Sequence, residues 1–468
     1  MIDIKDIQRV YFIGIGGIGM SALARYFKFH GKEVSGYDKT ETPLTKQLVN
    51  EGIPVHYEDD LALAPKDAQL IVYTPAVPKG HTGLAFYQQN NYPLLKRSEV
   101  LGAITRSSFN ICVAGTHGKT TITTMVAHIL RHSEYGCNAF LGGIAVNYNS
   151  NYWSHENDTC VVEADEYDRS FLRLTPDVAV ISAMDPDHLD IYGTPGAMED
   201  AFIEFAGKIK PGGTLISKFG LPRGKELKAP NHFTYHLQNT QADIYACNIQ
   251  MQHGTYVFDV QVKEWKLANV VLNMGGLHNI ENVIAAIAIA HRLGIDDEKI
   301  KAAVEAFRGV RRRFEYVIKT PPTAGEAGKG LTFVDDYAHH PEELRALITG
   351  ARGLFGSMKC TVVFQPHLFT RTRDLADEFA EVLDMADEVV LLPIYPAREL
   401  PIEGVTSSII LDKMKNPNKQ VLTKEQLVQW IKEVKDPSTK SGNGWLLITA
   451  GAGDIDTLVL PVKQIIEK

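Results

Sequence analysis

The chain has 468 residues, too many for one hydrophobic core, and its length predicts about three domains. Its composition is that of a globular protein, and its net charge of -8 argues against a nucleic-acid partner or an anionic membrane surface. Five cysteines without a C-x-x-C pair, no apolar signal segment at the N-terminus and no apolar run near the ~20 residues that span a bilayer predict a cytoplasmic protein without structural zinc.

Short apolar runs alternate with helical patterns along the chain, which predicts an α/β fold of three domains with parallel sheets. Residues 1–107 are predicted to be Rossmann-like, residues 108–312 to form a P-loop ATPase-type α/β domain, and residues 313–468 to be Rossmann-like again. The predicted strands are 10–15, 34–37 and 70–74 in the first domain, 110–114 and 178–182 in the second, and 331–334, 359–364, 388–392 and 445–449 in the third.

Two stretches depart from this alternation of strands and helices. Apolar and polar residues alternate between residues 243 and 271, which predicts antiparallel strands added to the second domain. A helix over 279–293 is predicted to close that region. Residues 320–330 are rich in Pro and Gly and lie between two predicted strands, so they are predicted to form a surface loop.

The first glycine-rich segment follows a predicted strand and opens a helix. Gly14, Gly16 and Gly19 satisfy the G-x-G-x-x-G pattern, and Asp38 ends the next strand about 20 residues later, where an acid that binds a ribose belongs. In this context backbone N–H groups and a helix N-terminus hold a diphosphate. The segment therefore predicts a nucleotide site, although a turn without a ligand stays open, and the loop does not say which base is bound.

The second glycine-rich segment, residues 114–121, also lies between a strand and a helix. Lys119 is predicted to reach the β- and γ-phosphates of a nucleotide, and the Thr120 hydroxyl is predicted to ligate Mg²⁺. The general phosphate-loop pattern has Gly five residues before Gly118, and Val113 stands there in this chain. Two phosphate sites in one chain predict two nucleotides, or a nucleotide donor and a nucleotide-linked acceptor.

Acidic residues and a histidine follow the next strands of the second domain. Glu163 ends one apolar run, and His188 follows another within the segment 185–190. Because ligands of open α/β sheets lie beyond the carboxyl ends of the strands, these groups are predicted to gather near Thr120. Glu163 is the candidate Mg²⁺ ligand, and His188 is predicted to bind a second metal or to position a substrate.

These motifs and others further along the chain resemble the Mur ligases of bacterial cell-wall synthesis. In chain order the motifs are residues 14–20, 115–121, 163–166, 187–190, 277–279 with Asn282, 312–314, 335–341, 364–367 and 371–373. The first glycine segment favours the branch of the family that adds alanine. So does the absence of a lysine in the helix 196–206, where the peptide-extending branches carry a carbamylated one. Leu368 stands where many alanine-adding relatives carry an arginine.

The resemblance implies a role for each matching residue. For a UDP sugar it implies contacts from Gly14, Gly16, Gly17, Gly19, Met20 and Asp38, with His367 and Arg371 near the substrates. For ATP it implies contacts from Gly115, Thr116, His117, Gly118, Lys119, Thr120 and Thr121, with His278 and Asn279 facing the adenine and Arg313 and Asp336 closing over the nucleotide. It implies Thr120, Glu163 and His188 as ligands of two Mg²⁺ ions, and Lys119, His188, His339 and Arg371 as catalytic residues.

The resemblance also implies an activity and partners. It implies an ATP-dependent ligase that joins L-alanine to the muramoyl carboxylate of UDP-N-acetylmuramate through an acyl phosphate, while the third domain closes over ATP and the amino acid. Both substrates are small molecules, and a monomer or weak dimer is predicted. Three alternatives stay open: a related ligase that attaches a recycled tripeptide to the same sugar nucleotide, a dinucleotide-dependent oxidoreductase, and a nucleotide sensor without catalysis.

Overall fold

The computed structural model describes residues 4–78, 80–252, 255–263, 265–320, 330–356, 358–397, 399–434 and 444–467, which form three sheets with helices between the strands. By its internal contacts the chain divides into two compact units. The first contains residues 1–247, 259–268 and 281–306, and the second contains residues 248–258, 269–280 and 307–468.

The first sheet has five parallel strands in the order β3-β2-β1-β4-β5. Its elements are β1 (Arg9–Ile13), α1 (Ile18–Phe29), β2 (Glu33–Tyr37), α2 (Pro43–Asn50), β3 (Val55–His56), β4 (Leu70–Tyr73), α3 (Thr82–Gln89), β5 (Leu94–Lys96) and α4 (Arg97–Arg106). The strand order reverses between β1 and β4, so the segment between β1 and α1 lies at the crevice where such sheets bind ligands. The three predicted strands of this domain are confirmed to within about two residues, whereas β3 and β5 were not predicted.

The second sheet has ten strands in the order β15-β14-β13-β12-β11-β10-β6-β9-β7-β8. Its strands are β6 (Phe109–Ala114), β7 (Asn138–Ala145), β8 (Ser150–Trp153), β9 (Thr159–Glu163), β10 (Val178–Ile181), β11 (Thr214–Lys218), β12 (Asn231–His236), β13 (Ile244–Gln252), β14 (Thr255–Val262) and β15 (Trp265–Leu272). Its helices are α5 (Lys119–His132), α6 (Leu189–Tyr192), α7 (Pro195–Ala206), α8 (Leu277–Arg292) and α9 (Asp297–Ala306).

The edge of this sheet carries the strands predicted between residues 243 and 271. β13, β14 and β15 are neighbours in the sheet, and only two residues separate each from the next along the chain. Such short connections permit only antiparallel pairing, because a parallel pair needs a crossover of a dozen residues or more. At the other edge, β7 and β8 are also antiparallel.

The third sheet has six strands in the order β16-β17-β21-β18-β19-β20, and only the pair β16–β17 is antiparallel. Its elements are β16 (Glu315–Thr320), β17 (Leu331–Asp336), α10 (Pro341–Phe355), β18 (Lys359–Phe364), α11 (Phe369–Asp374), α12 (Ala376–Leu383), β19 (Glu388–Leu391), α13 (Ser408–Leu411), β20 (Lys419–Val421), α14 (Lys424–Val434), β21 (Trp445–Ala450) and α15 (Val459–Ile466). The four strands predicted here are confirmed. Most of the loop predicted at 320–330, residues 321–329, lies outside the described residues.

The first two sheets share one hydrophobic core within the first unit. Phe27 of α1 and Phe140 of β7 belong to the same cluster of buried side chains. A polar contact accompanies it: Arg25 of α1, only 7% exposed, donates two hydrogen bonds to Glu51, of 2.6 and 3.0 Å, and a third to Asn151 of β8. Asn151 in turn donates to the backbone oxygen of Ile18 at 2.6 Å, so the start of α1 is fixed to the second sheet.

The states of the cysteines and the lengths of the helices can be compared with what the sequence predicted. All five cysteines carry free thiols, and all except Cys247 are buried. Within the part of the chain that is described, no helix has both the length and the apolar character that a membrane span requires.

We predict that Arg25→Ala lowers the free energy of unfolding by about 3 kcal/mol, because it removes the packing of a buried side chain and leaves the buried Asn151 without its donor. Denaturant titration measures the change. Arg9→Ala is the matched control, since Arg9 pairs with Asp67 at 3.3 Å on the surface. Its loss is expected to cost less than about 1 kcal/mol. An equal loss of unfolding free energy in the two variants would contradict the structural importance of Arg25.

Candidate functional site

The second glycine loop connects β6 to α5 and requires glycine at two positions. Gly115 has φ +134° and Gly118 has φ +82°, both in the region that side-chain-bearing residues avoid. Neighbouring side chains also exclude a Cβ: one at Gly115 would collide with Ser182 Oγ, and one at Gly118 would lie 2.8 Å from Asn282 Oδ1. Gly118 is the N-cap of α5 and no side chain caps that helix, so its first N–H groups are available to an anion.

Lys119, the first residue of α5, has its ammonium bound within the protein. Its Nζ donates to Gly115 O and to Glu166 Oε1, both at 2.7 Å. Glu166 is 1% exposed. Burial raises the pKa of Glu166 above its usual range, although the Lys119 ammonium acts in the opposite direction. The sequence motif contained Glu166, but its pairing with the phosphate-loop lysine was not predicted.

Thr120 and Glu163 come together as predicted. The Thr120 hydroxyl donates to Glu163 Oε1 at 2.9 Å, and the backbone N–H of Gly142, on β7, donates to Glu163 Oε2 at 3.0 Å. A Cβ at Gly142 would collide with the Glu163 carboxylate. The two oxygen-bearing side chains are the kind of ligand that Mg²⁺ prefers. Gly142 was missed by the sequence analysis, and the Gly-Gly pair inside an apolar strand is the signal that could have found it.

His188 lies beside two carboxylates, those of Glu166 and Asp187. Its Nε2 is 4.0 Å from Glu166 Oε1, and its Nδ1 is 3.7 Å from Asp187 Oδ1. One ligand atom from each of these three residues lies within 4.8 Å of the others, a spacing that suits a single cation. The structure therefore groups His188 with Glu166 and Asp187, and Thr120 with Glu163. That either group binds a metal stays a prediction.

The other residues of the second glycine loop differ in accessibility. Thr116 and Thr121 are buried, and Thr116 Oγ1 accepts the N–H of Asp185 at 3.1 Å. His117 is exposed, and its Nε2 is 3.8 Å from Asp185 Oδ2. ATP contacts of these side chains stay predictions.

The first glycine loop is held largely by its own domain. The N–H groups of Gly14 and Ile15 donate to Tyr37 O, and that of Gly16 donates to Asp38 Oδ2 at 2.7 Å. The donors that remain for a diphosphate are those of the first turn of α1, whose N-cap, Gly17, provides no side-chain cap.

Two side chains beside this loop differ from expectation. Met20 was predicted to bind substrate, but the residue is 2% exposed and its side chain packs in the core. Arg97, the first residue of α4 and directly after β5, was missed. A Cβ at Gly19 would lie 2.8 Å from Arg97 Nη1, and Arg97 Nη2 is 3.4 Å from Asp165 Oδ2. β5 has only three residues and was not predicted, so no pattern in the sequence indicated Arg97.

The second unit contains the residues that were predicted to face the adenine and to close over the nucleotide. His278 is exposed, whereas Asn279 is buried and its Nδ2 donates to Gly275 O at 2.5 Å. Asp336 accepts the N–H groups of Phe314 at 2.6 Å and Ala338 at 2.7 Å. Burial raises the pKa of Asp336, while the nearby Arg313 opposes the shift.

The second unit also brings His339, His367 and Arg371 together. The rings of His339 and His367 are 6.0 Å apart, and His367 stacks on Tyr395 at 5.8 Å. Burial lowers the pKa of His339, and Arg371 contributes to the shift. Arg371 Nη1 is buried and makes no hydrogen bond within the described ranges. Leu368, between these residues, has φ +71°, and its N–H is held by Tyr395 O at 2.9 Å.

Comparisons with known proteins cover almost the whole chain. Sequence profiles of the Mur ligase family match in three parts: the Mur ligase family catalytic domain over residues 9–109, the Mur ligase middle domain over 113–290, and the Mur ligase glutamate ligase domain over 312–453. The UDP-N-acetylmuramate–L-alanine ligase of Porphyromonas gingivalis strain W83 is 47% identical over 467 residues, which cover 98% of this chain and 99% of that protein.

Two solved structures of ligases resemble the whole chain. The crystal structure of UDP-N-acetylmuramate–alanine ligase from Thermotoga maritima has a TM-score of 0.80 and 28% identity and covers 98% of both chains. A murein peptide ligase from Psychrobacter arcticus has a TM-score of 0.66, also covering 98% of both chains, but its 21% identity establishes a shared fold only.

We predict that Gly142→Ala weakens divalent-cation binding by about tenfold with little effect on stability, because the added methyl group displaces the mobile end of Glu163 rather than the core. Titration with Mn²⁺ followed by electron paramagnetic resonance measures the affinity. Gly196→Ala is the matched control, since a Cβ there meets nothing within 4 Å. Unchanged Mn²⁺ affinity in Gly142→Ala would exclude a positioning role for this glycine.

Proposed function

The chain belongs to the Mur ligase family, and we propose that it joins L-alanine to the muramoyl carboxylate of UDP-N-acetylmuramate at the expense of ATP, releasing ADP and phosphate. The observation that carries the proposal is a phosphate loop with its lysine and two adjacent carboxylates, in a chain that is 47% identical over nearly its full length to a ligase of that name. The reaction would be a step of peptidoglycan precursor synthesis in the cytoplasm.

The residues around the second glycine loop fit Mg-ATP. Lys119 and the N-terminal N–H groups of α5 would hold the phosphates. Thr120 and Glu163 offer oxygen ligands to one Mg²⁺, and Glu166, Asp187 and His188 offer two carboxylates and an imidazole to a second. Bound Mg²⁺ would neutralise charge on the phosphates. Lys119 would do the same from the protein side, at the point where negative charge accumulates during phosphoryl transfer.

The sugar nucleotide is assigned to the first glycine loop. Its diphosphate would meet the uncapped N-terminus of α1, and Arg97 would add a positive charge beside Gly19. Asp38, which accepts the Gly16 N–H, fixes the loop and is the proposed contact of the ribose.

The amino acid is assigned to the group formed by His339, His367 and Arg371. A buried guanidinium nitrogen without a hydrogen-bond partner suits a carboxylate, which Arg binds with matching geometry. Because burial lowers the pKa of His339, its imidazole is neutral near pH 7 and can accept a hydrogen bond.

In the proposed reaction, an oxygen of the muramoyl carboxylate takes the γ-phosphoryl group of ATP, which gives an acyl phosphate and ADP. The amino group of L-alanine then attacks the acyl carbon and displaces phosphate. Positioning would carry most of this chemistry, because the carboxylate must lie in line with the γ-phosphoryl group and the amine must lie beside the acyl phosphate with water excluded.

We predict phosphate release that requires both Mg-ATP and UDP-N-acetylmuramate and is fastest with L-alanine, when L-alanine, L-serine, glycine and the recycled tripeptide are supplied one at a time. Fastest release with the tripeptide would move the protein to the recycling branch while keeping the chemistry. No release with any acceptor would overturn the proposed ligase activity.

We predict that Lys119→Ala lowers kcat at least about a hundredfold, because it removes a fixed cation from the developing charge of the transferred phosphoryl group. Lys208→Ala serves as the matched control. Lys208 lies just after α7 and pairs with Glu204 of that helix at 3.1 Å on the protein surface. Circular dichroism establishes that both variants are folded. Comparable kcat values for Lys119→Ala and the control would refute the assignment of the phosphate loop.

A further inference from the structure

The two carboxylate oxygens of Glu166 differ in their hydrogen bonding. Oε1 accepts the Lys119 ammonium at 2.7 Å, whereas Oε2 is buried and has no hydrogen-bond partner in the described part of the chain. The backbone holds the residue in place: Tyr192 OH donates to Glu166 O at 2.7 Å, and Arg169 N donates to the same oxygen at 3.0 Å. The carboxylate therefore has no route into solvent without local rearrangement, and it needs a cation beside it.

Lys119 cannot satisfy all the acceptors that surround it once a nucleotide is bound. An ammonium has three donors, and Gly115 O and Glu166 Oε1 already take two of them. A phosphate-loop lysine that reaches both the β- and the γ-phosphate needs two donors for them. At least one present acceptor must be released. If Lys119 leaves Glu166, a buried negative charge remains next to the phosphates.

A group that could supply the missing charge adjoins Glu166. Asp187 and His188 place ligand atoms within 4.8 Å of a Glu166 oxygen. Two ligands with bonds near 2.1 Å to one ion lie at most about 4.2 Å apart, so small side-chain rotations would close this group around a cation. Their side chains are 48% and 33% exposed, so water can complete the coordination. The other oxygen of the same carboxylate, Glu166 Oε2, has no hydrogen-bond partner in the described residues.

We propose that Glu166 is an exchange ligand: it holds Lys119 in the nucleotide-free protein and, when nucleotide phosphates draw the lysine away, binds a divalent cation together with Asp187 and His188. The inference rests on the proposed function only in taking ATP as the ligand of the second glycine loop. It makes the binding of this cation dependent on the nucleotide, because Lys119 and the ion compete for the same carboxylate.

The first test counts Mn²⁺ ions per chain by electron paramagnetic resonance, with and without the β,γ-imido analogue of ATP. We expect two ions with the analogue in the unmodified protein, and one in Glu166→Gln and in Asp187→Asn. Asp168→Asn is the matched control, since Asp168 lies in the same loop, is 50% exposed and is outside the cluster. It should retain two ions. Two ions in Glu166→Gln would overturn the proposal.

The second test measures affinity for the same analogue in EDTA by calorimetry. Glu166→Gln should bind it about tenfold more tightly than the unmodified protein, because Lys119 no longer has to leave a carboxylate. Asp187→Asn and Asp168→Asn should bind it as the unmodified protein does, since neither residue contacts Lys119. Unchanged or weaker binding by Glu166→Gln would contradict the exchange.

If one variant does not fold, the other variants still test the proposal. If thermal denaturation shows that Glu166→Gln has no folded state, Asp187→Asn provides the test: two ions with the analogue in Asp187→Asn would overturn the cation site. Mn²⁺ binding is independent of turnover. Failure of alanine-dependent phosphate release would therefore refute the proposed function, while the ion count and the affinity in EDTA would still test the exchange.

Discussion

A carboxylate held away from water needs a cation, and much of the candidate site is arranged around this requirement at Glu166. Lys119 meets it across two elements, from the start of α5 to the segment after β9. Tyr192 of α6 holds the backbone of Glu166, and the segment that follows places Asp168 and Arg169 at positive φ. The phosphate loop, the acidic strand end and the segment leading to α6 are thus joined through one buried carboxylate.

The parts of this fold that could be predicted from the sequence are those that depend on neighbours in the chain. Parallel strands buried on both faces appear as uninterrupted apolar runs, which is why β18 and β21 were found with nearly correct ends. Glycine loops between a strand and a helix are local as well, and they led to Lys119 and Thr120. Glu163 followed from a rule of topology, since the carboxyl ends of parallel strands meet at one edge.

The parts that could not be predicted depend on contacts between distant segments. Gly142 supports Glu163 from a strand that adjoins β9 in the sheet but precedes it by some twenty residues, and no periodicity reveals that closeness. Arg97 reaches the first glycine loop from directly after β5, a strand too short to give a pattern. Met20 was assigned through its motif, but the amphipathic face of α1 turns its side chain into the core.

The burial of the cysteines has a consequence for chemical labelling. Burial raises the pKa of Cys112, Cys137, Cys160 and Cys360, so these thiols stay protonated and shielded from alkylating reagents. Cys247 is the one cysteine with part of its surface in solvent. It lies on β13, within the antiparallel edge of the second sheet. The sequence therefore provides a single accessible attachment point for a fluorophore or spin label, on β13, without any engineered substitution.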